Sequence, residues 1–108
     1  MKKAYTIFLR IQEDMIAEYA SVNPGKMMSS PAIRYKTKVF AFYHNYEMIF
    51  RMGKDFDPSI FKLEEYSILN PFKKKAPLYG WFQVPISESK KWKSLAIYAY
   101  DNIVKEYV

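Results

Sequence analysis

The 108 residues carry seventeen basic and eleven acidic side chains, a net charge of +6, with half of all residues hydrophobic. That balance fits one ordinary globular domain spanning 1–108 rather than a disordered chain. The absence of cysteine excludes disulfides, thiolate metal sites, iron–sulfur clusters and thiol nucleophiles together, and favours a cytoplasmic home.

The opening Met1-Lys2-Lys3-Ala4-Tyr5 looks like the start of a signal peptide, but Arg10, Gln12, Glu13 and Asp14 break the apolar run, so no leader is expected. No stretch approaches the ~18 consecutive apolar residues of a membrane span. From Tyr5 to Val22 the apolar positions Phe8, Ile11, Met15, Ile16, Tyr19 and Val22 recur at helical offsets, predicting an amphipathic helix ended by Asn23-Pro24-Gly25. Met27–Tyr35 reads as a strand in which Pro31 marks an edge or a bulge. Thr37–Tyr43 and Tyr46–Met52 read as a hairpin turning at His44-Asn45, with Phe40 and Phe42 expected on one face and Met48 and Phe50 on one face of the partner. Gly53 ends this meander.

Asp57 and Pro58 have the chemistry of a helix cap and first helical position, which predicts a short helix to Tyr66. Ser67–Phe72 and Leu78–Pro85 then read as two strands joined through Lys73-Lys74-Lys75-Ala76-Pro77. Ser87–Val108 places Trp92, Leu95, Ala96, Ala99, Ile103 and, further along, Tyr107 on one stripe of a closing helix, with Ser87 as its cap and Glu88 complementing its positive end. The expected architecture is α+β in two layers. An antiparallel sheet of about five strands carries N- and C-terminal helices in the order α-β-β-β-α-β-β-α.

Chemistry is sparse along this chain. His44 is the only histidine, and its place at a hairpin tip suits a solvated turn residue better than a general base. One His without Cys or a repeated acidic spacing offers no metal ligand set. Ser29-Ser30 lacks a nucleophile elbow, and three glycines cannot make a phosphate cradle. Asp55, Asp57, Glu64 and Glu65 are explained by a cap and a solvated face. No catalytic, cofactor-binding or metal residues are therefore assigned.

What remains is basic and aromatic. Residues 1–54 hold nine basic against four acidic side chains, residues 55–108 eight against seven, and aromatics make up 19% of the chain. Lys73-Lys74-Lys75 is the densest basic feature, with Phe72, Tyr79 and Trp81 close by in sequence. Those six residues form the candidate interaction surface. With only three arginines in the chain, any nucleic-acid contact would be blind to base sequence. Lys90, Lys91 and Lys93 open the last helix, where cations oppose the dipole, a small pointer to a partner.

Gly25-Lys26-Met27-Met28-Ser29-Ser30-Pro31-Ala32-Ile33-Arg34-Tyr35 followed by Lys38-Val39-Phe40-Ala41-Phe42 resembles the motif of TfoX N-terminal-domain-like proteins and their YjbR-like relatives. Asn70-Pro71-Phe72, Gly80-Trp81-Phe82-Gln83-Val84-Pro85 and a last helix with Trp92 resemble later features of the same group, in the same order. The resemblance implies a compact α+β domain with a secretion-chaperone-like fold. It also implies a role alongside competence-type regulators that work with other proteins, and it brings no catalytic residues. The chain departs from that pattern at Ser29, where a glycine is usual, and at the Lys73–Lys75 run. It also lacks the second domain of full-length competence regulators, which puts a direct regulatory role in doubt. The resulting expectation is a non-enzymatic interaction or regulatory domain without cofactor or membrane association. Its partner is another protein or a second copy in a homodimer; the alternative is weak, sequence-blind nucleic-acid binding through Lys73–Lys75 and neighbouring lysines.

Overall fold

A computed structural model describes residues 2–70 and 78–106. Phe72, Lys73, Lys74, Lys75 and Tyr107 lie outside the described residues. The observed order is α1 (Lys2–Glu18), β1 (Val22–Met27), β2 (Ser30–Tyr35), β3 (Lys38–His44), β4 (Glu47–Arg51), a 3-10 turn (Pro58–Phe61), β5 (Ser67–Ile68), β6 (Trp81–Pro85), a second 3-10 segment (Ile86–Lys91) and α2 (Trp92–Lys105). The fold is α+β, as expected, with six antiparallel strands among the described residues rather than about five, ordered β1-β2-β3-β4-β6-β5. None of the described helices is long and apolar enough to cross a membrane.

The first helix stops earlier than the periodicity predicts. Ser21 takes a left-handed conformation, and Val22-Asn23-Pro24-Gly25 becomes strand β1 instead of a helix stop. Pro24 is tolerated there because β1 is an outer strand, which can spare an N–H. Met28 and Ser29 turn the chain, with Met28 at φ 58°, so the segment expected as one strand from Met27 contributes to two. The β3–β4 hairpin turns at Asn45-Tyr46, both left-handed, one residue later than the sequence suggests.

The facing of β3 also differs from the expectation. Ile33 pairs with Ala41 and Arg34 with Val39, which leaves Phe40 without an opposite residue. This bulge puts Phe40 and Ala41 together in the main core beneath the helices and turns Phe42 to the opposite face. Simple alternation therefore fails for Phe40 and Phe42, while it holds for Met48 and Phe50 in β4.

The main core joins Phe8, Ile11 and Met15 of α1 and Trp92, Leu95, Ala99 and Ile103 of α2 to Phe40, Met48, Phe50 and Val84 of the sheet. On the other sheet face Ala32, Phe42 and Ile49 are also buried, covered at their margins by Met27, Val39, Leu69 and Trp81. Burial of these rings and aliphatic chains, at roughly 25 cal/mol per Å² of apolar area, is the main force holding the layers together.

The start of α2 is built differently from its sequence signature. Ser87 does not cap it; its hydroxyl donates to Glu65 at 2.6 Å. Glu88 is buried rather than facing the helix dipole. Its Oε2 accepts the backbone N–H groups of Glu64 at 2.6 Å and Glu65 at 2.8 Å, and its Oε1 meets Lys91 Nζ at 2.9 Å. Lys91 also donates to the carbonyl of Lys62, and Lys93 reaches Asp14 and Glu18 of α1. Two of the three lysines that oppose the dipole thus have partners within the fold. Asp57 does cap the first 3-10 turn, accepting the N–H of Ser59 at 2.9 Å.

Candidate binding cleft

Tyr79 and Trp81 belong to one surface, and glycine geometry is what puts them there. Tyr79-Gly80 is a turn leading into β6, not the strand that its aromatic character suggests. Gly80 has φ +96°, and its carbonyl accepts the N–H groups of Met52 at 2.8 Å and Gly53 at 3.0 Å. Gly53, at φ +93°, lies so close that a Cβ on Gly80 would stand 3.3 Å from its carbonyl carbon. The two backbones meet where L side chains fit poorly, and this contact sets the end of β4 against the entry to β6.

A cleft of about 530 Å³ opens over that junction. One wall is the Tyr79–Trp81 turn; the other is the C-terminal half of α2, through Tyr98, Asn102 and Lys105. Asn102 Nδ2 donates to the carbonyl of Met52 at 2.9 Å, which ties α2 to the cleft floor. Tyr79 is 59% exposed, while Trp81 borders the cleft half-buried, its ring turned to the other sheet face 5.8 Å from that of Phe42. Phe56 and Tyr98 meet edge to face at 5.1 Å behind the opening.

The charges are mixed. Arg51 Nη1 pairs with Glu106 Oε2, and that guanidinium holds the Glu106 carboxyl below its ordinary range, with Lys38 adding a smaller pull. A carboxylate so held is fixed as an anion at neutral pH, a positioning element rather than a proton carrier. Lys54, Lys105 and Asp55 line the cleft without an ion-pair partner among the described residues, leaving one cation in excess. Aromatic rings beside free cations can take hold of an anionic group next to an apolar one.

His44 is exposed at the end of β3, where its Nδ1 lies 3.2 Å from Ser30 Oγ. The two are solvated neighbours across the β2–β3 edge and lie away from the cleft. Among the described residues no group of three His, Asp or Glu side chains is arranged to hold a metal ion. Of the six residues expected to form the interaction surface, the structure brings together Tyr79 and Trp81. It adds Arg51, Lys54, Tyr98, Asn102 and Lys105, which sequence reasoning missed. The usable signal was the pair of glycines: Gly53 reads in sequence as the end of the meander and Gly80 as part of a strand, and neither reads as a contact. No protein-family model matches this sequence, and no curated protein or solved structure is detectably similar to it.

Proposed function

We propose that this chain is a non-catalytic interaction domain whose partner is another protein, bound through the Tyr79–Trp81 cleft by a segment that carries a carboxylate beside an aromatic or aliphatic side chain. The observation that carries this reading is an exposed Tyr79 beside Arg51 in a cleft also lined by Lys54 and Lys105, which have no ion-pair partner among the described residues. Tyr, Trp and Arg dominate the energetically decisive positions of protein interfaces, because they supply large contact area with few rotors and a polar tip. Lys54 and Lys105 outnumber the Asp55 carboxylate beside them, and that excess of positive charge complements an acidic segment. The motif resemblance to TfoX N-terminal-domain-like proteins, whose namesake works with other proteins, supports the same reading.

The test is selection of random peptides displayed against the intact chain, followed by titration of the enriched sequences. Enriched peptides are expected to hold Asp or Glu next to an apolar residue. Tyr79→Ala is expected to weaken them by about tenfold or more, the effect of losing one interface hot spot, with Lys105→Glu acting in the same direction. Peptides that bind Tyr79→Ala unchanged would refute the cleft as the contact. A sedimenting dimer that Tyr79→Ala dissolves would make a second copy the occupant and overturn the heterologous reading. Tighter binding to single-stranded oligonucleotides, falling steeply with salt, would replace it with the nucleic-acid alternative.

A further inference from the structure

At the other end of α2 a second opening lies between α1 and the 3-10 segment that precedes α2, with a volume of about 440 Å³. Its inner wall is apolar, made by half-buried Ile7 with Ile11, 5% exposed, behind it on the next turn of α1. Lys3 and Arg10 rise on the outer rim of the same helix face, and neither has an ion-pair partner among the described residues. The far end is closed by Lys93, which spans from α2 to Asp14 at 3.3 Å and Glu18 at 3.5 Å. The opening thus has an oily floor, two unneutralised cations along one rim, and one end shut by a satisfied ion pair.

Each part restricts the occupant. The volume lies within the 300–1,000 Å³ that small-molecule sites commonly occupy, and it is small for a folded partner. The floor calls for an alkyl chain. The free Lys3 and Arg10 call for an anionic head, which they can meet with charge-assisted hydrogen bonds while the chain lies on Ile7 and Ile11. We propose that this groove binds a free, single-chain alkyl carboxylate, its head at Lys3 and Arg10 and its tail along the α1 floor. The site is independent of the Tyr79–Trp81 cleft.

Sodium decanoate, kept below its micelle concentration, is the probe, and backbone amide shifts of the intact chain are the readout. Saturable shifts are expected at Thr6, Ile7, Arg10 and Ser89, with none at Tyr79 or Gly80. Decanol should bind about tenfold or more weakly, because it lacks the charge-assisted contacts. Arg10→Glu should weaken decanoate by a similar factor, while Ile7→Trp should block the floor without removing the rim cations. Melting curves of both variants show whether the fold is kept; where one variant does not fold, the decanoate–decanol comparison on the unchanged chain decides alone. Absence of saturable shifts, equal binding of decanol and decanoate, or shifts clustered elsewhere would overturn the assignment. Tighter binding of decyl phosphate would overturn the carboxylate head, and sedimentation with anionic phosphatidylglycerol vesicles but no decanoate shift would make the surface a membrane contact instead.

Discussion

Replacing Gly80 and Gly53 separately by alanine isolates the contact on which the cleft is built. Both residues hold φ near +95°, so each alanine meets a conformational penalty of about 1–2 kcal/mol. Each also gains about 0.4–1 kcal/mol, because alanine has less freedom than glycine to lose from the unfolded chain. Here the two part. A Cβ on Gly53 meets nothing within 4 Å, whereas one on Gly80 lies 3.3 Å from the Gly53 carbonyl carbon and 3.4 Å from the Lys54 nitrogen. Those are backbone atoms, already held by the two hydrogen bonds to the Gly80 carbonyl, and they cannot swing aside as a side-chain tip would. Crowding of that kind costs about 1–2 kcal/mol more. Gly53→Ala should therefore lose about 0–1.6 kcal/mol, and Gly80→Ala about 1–2 kcal/mol more than that. In a domain of this size the difference between them corresponds to a melting temperature about 5–10 °C lower for Gly80→Ala. Urea unfolding at constant slope, with thermal melts alongside, measures both. Equal losses for the two variants would refute the close approach, and no loss from either would refute the left-handed turns.

The buried carboxylate of Glu88 accepts the N–H groups of Glu65 and Glu64 and pairs with Lys91, and these contacts hold its pKa below the ordinary glutamate value. A carboxyl whose folded pKa is depressed stabilises the fold above its unfolded pKa, and that stabilisation disappears as pH falls through the folded pKa. Glu88→Gln should therefore be less stable than the parent at pH 7 and converge with it in acid. Parallel unfolding curves at pH 7 and pH 3 check this, and a gap that stays constant with pH would refute the role of the charge. Tyr100 donates its hydroxyl to the carbonyl of Ala20 at 3.2 Å, just beyond the end of α1. Burial first, then the neighbouring Tyr35, Asp101 and Tyr19, raises its pKa. Tyr100→Phe keeps the ring cluster and should cost about 0.5–1.5 kcal/mol, the net worth of one such bond, in equilibrium unfolding. A loss above about 3 kcal/mol would show that the hydroxyl does more than satisfy one carbonyl.

The layers were legible because burial imposes period: Phe8, Ile11 and Met15 declared α1, and Trp92, Leu95, Ala99 and Ile103 declared α2. Asp57-Pro58 was legible because capping is local, a side-chain oxygen reaching an N–H two residues on. Reading failed where a distant partner decided the outcome. Ser87 and Glu88 have the local chemistry of a helix start, but Glu64 and Glu65, more than twenty residues away, offer free N–H groups that outcompete the dipole for the carboxylate. Asn23-Pro24-Gly25 carries a stop signal, yet the chain extends there because β2 pairs with it along its whole length. The bulge at Phe40 has no glycine or proline within β3 to announce it; it shows only in the register with β2, where Ile33 pairs with Ala41 and Arg34 with Val39.

The same distinction explains why Tyr79 and Trp81 could be read from the sequence and the rest of the cleft could not. Tyr79 and Trp81 stand out as rings beside a basic run, a property of neighbouring residues. Arg51, Asn102 and Lys105 join them only because β4, β6 and α2 end at the same corner of the sheet. Two glycines make that corner. Gly53 lets the chain leave β4 sharply, and Gly80 lets the turn before β6 press its backbone against that exit. A side chain at Gly80 would press on the backbone of Gly53 and Lys54 and so shift the Tyr79 turn relative to the α2 wall of the cleft. The cleft is therefore a consequence of two residues that carry no chemistry of their own. Stability measurements at Gly80 and binding measurements at Tyr79 interrogate one piece of geometry from its two sides. Loss of peptide binding in a folded Gly80→Ala chain, with Tyr79 untouched, would tie the function to the backbone contact rather than to the exposed ring alone.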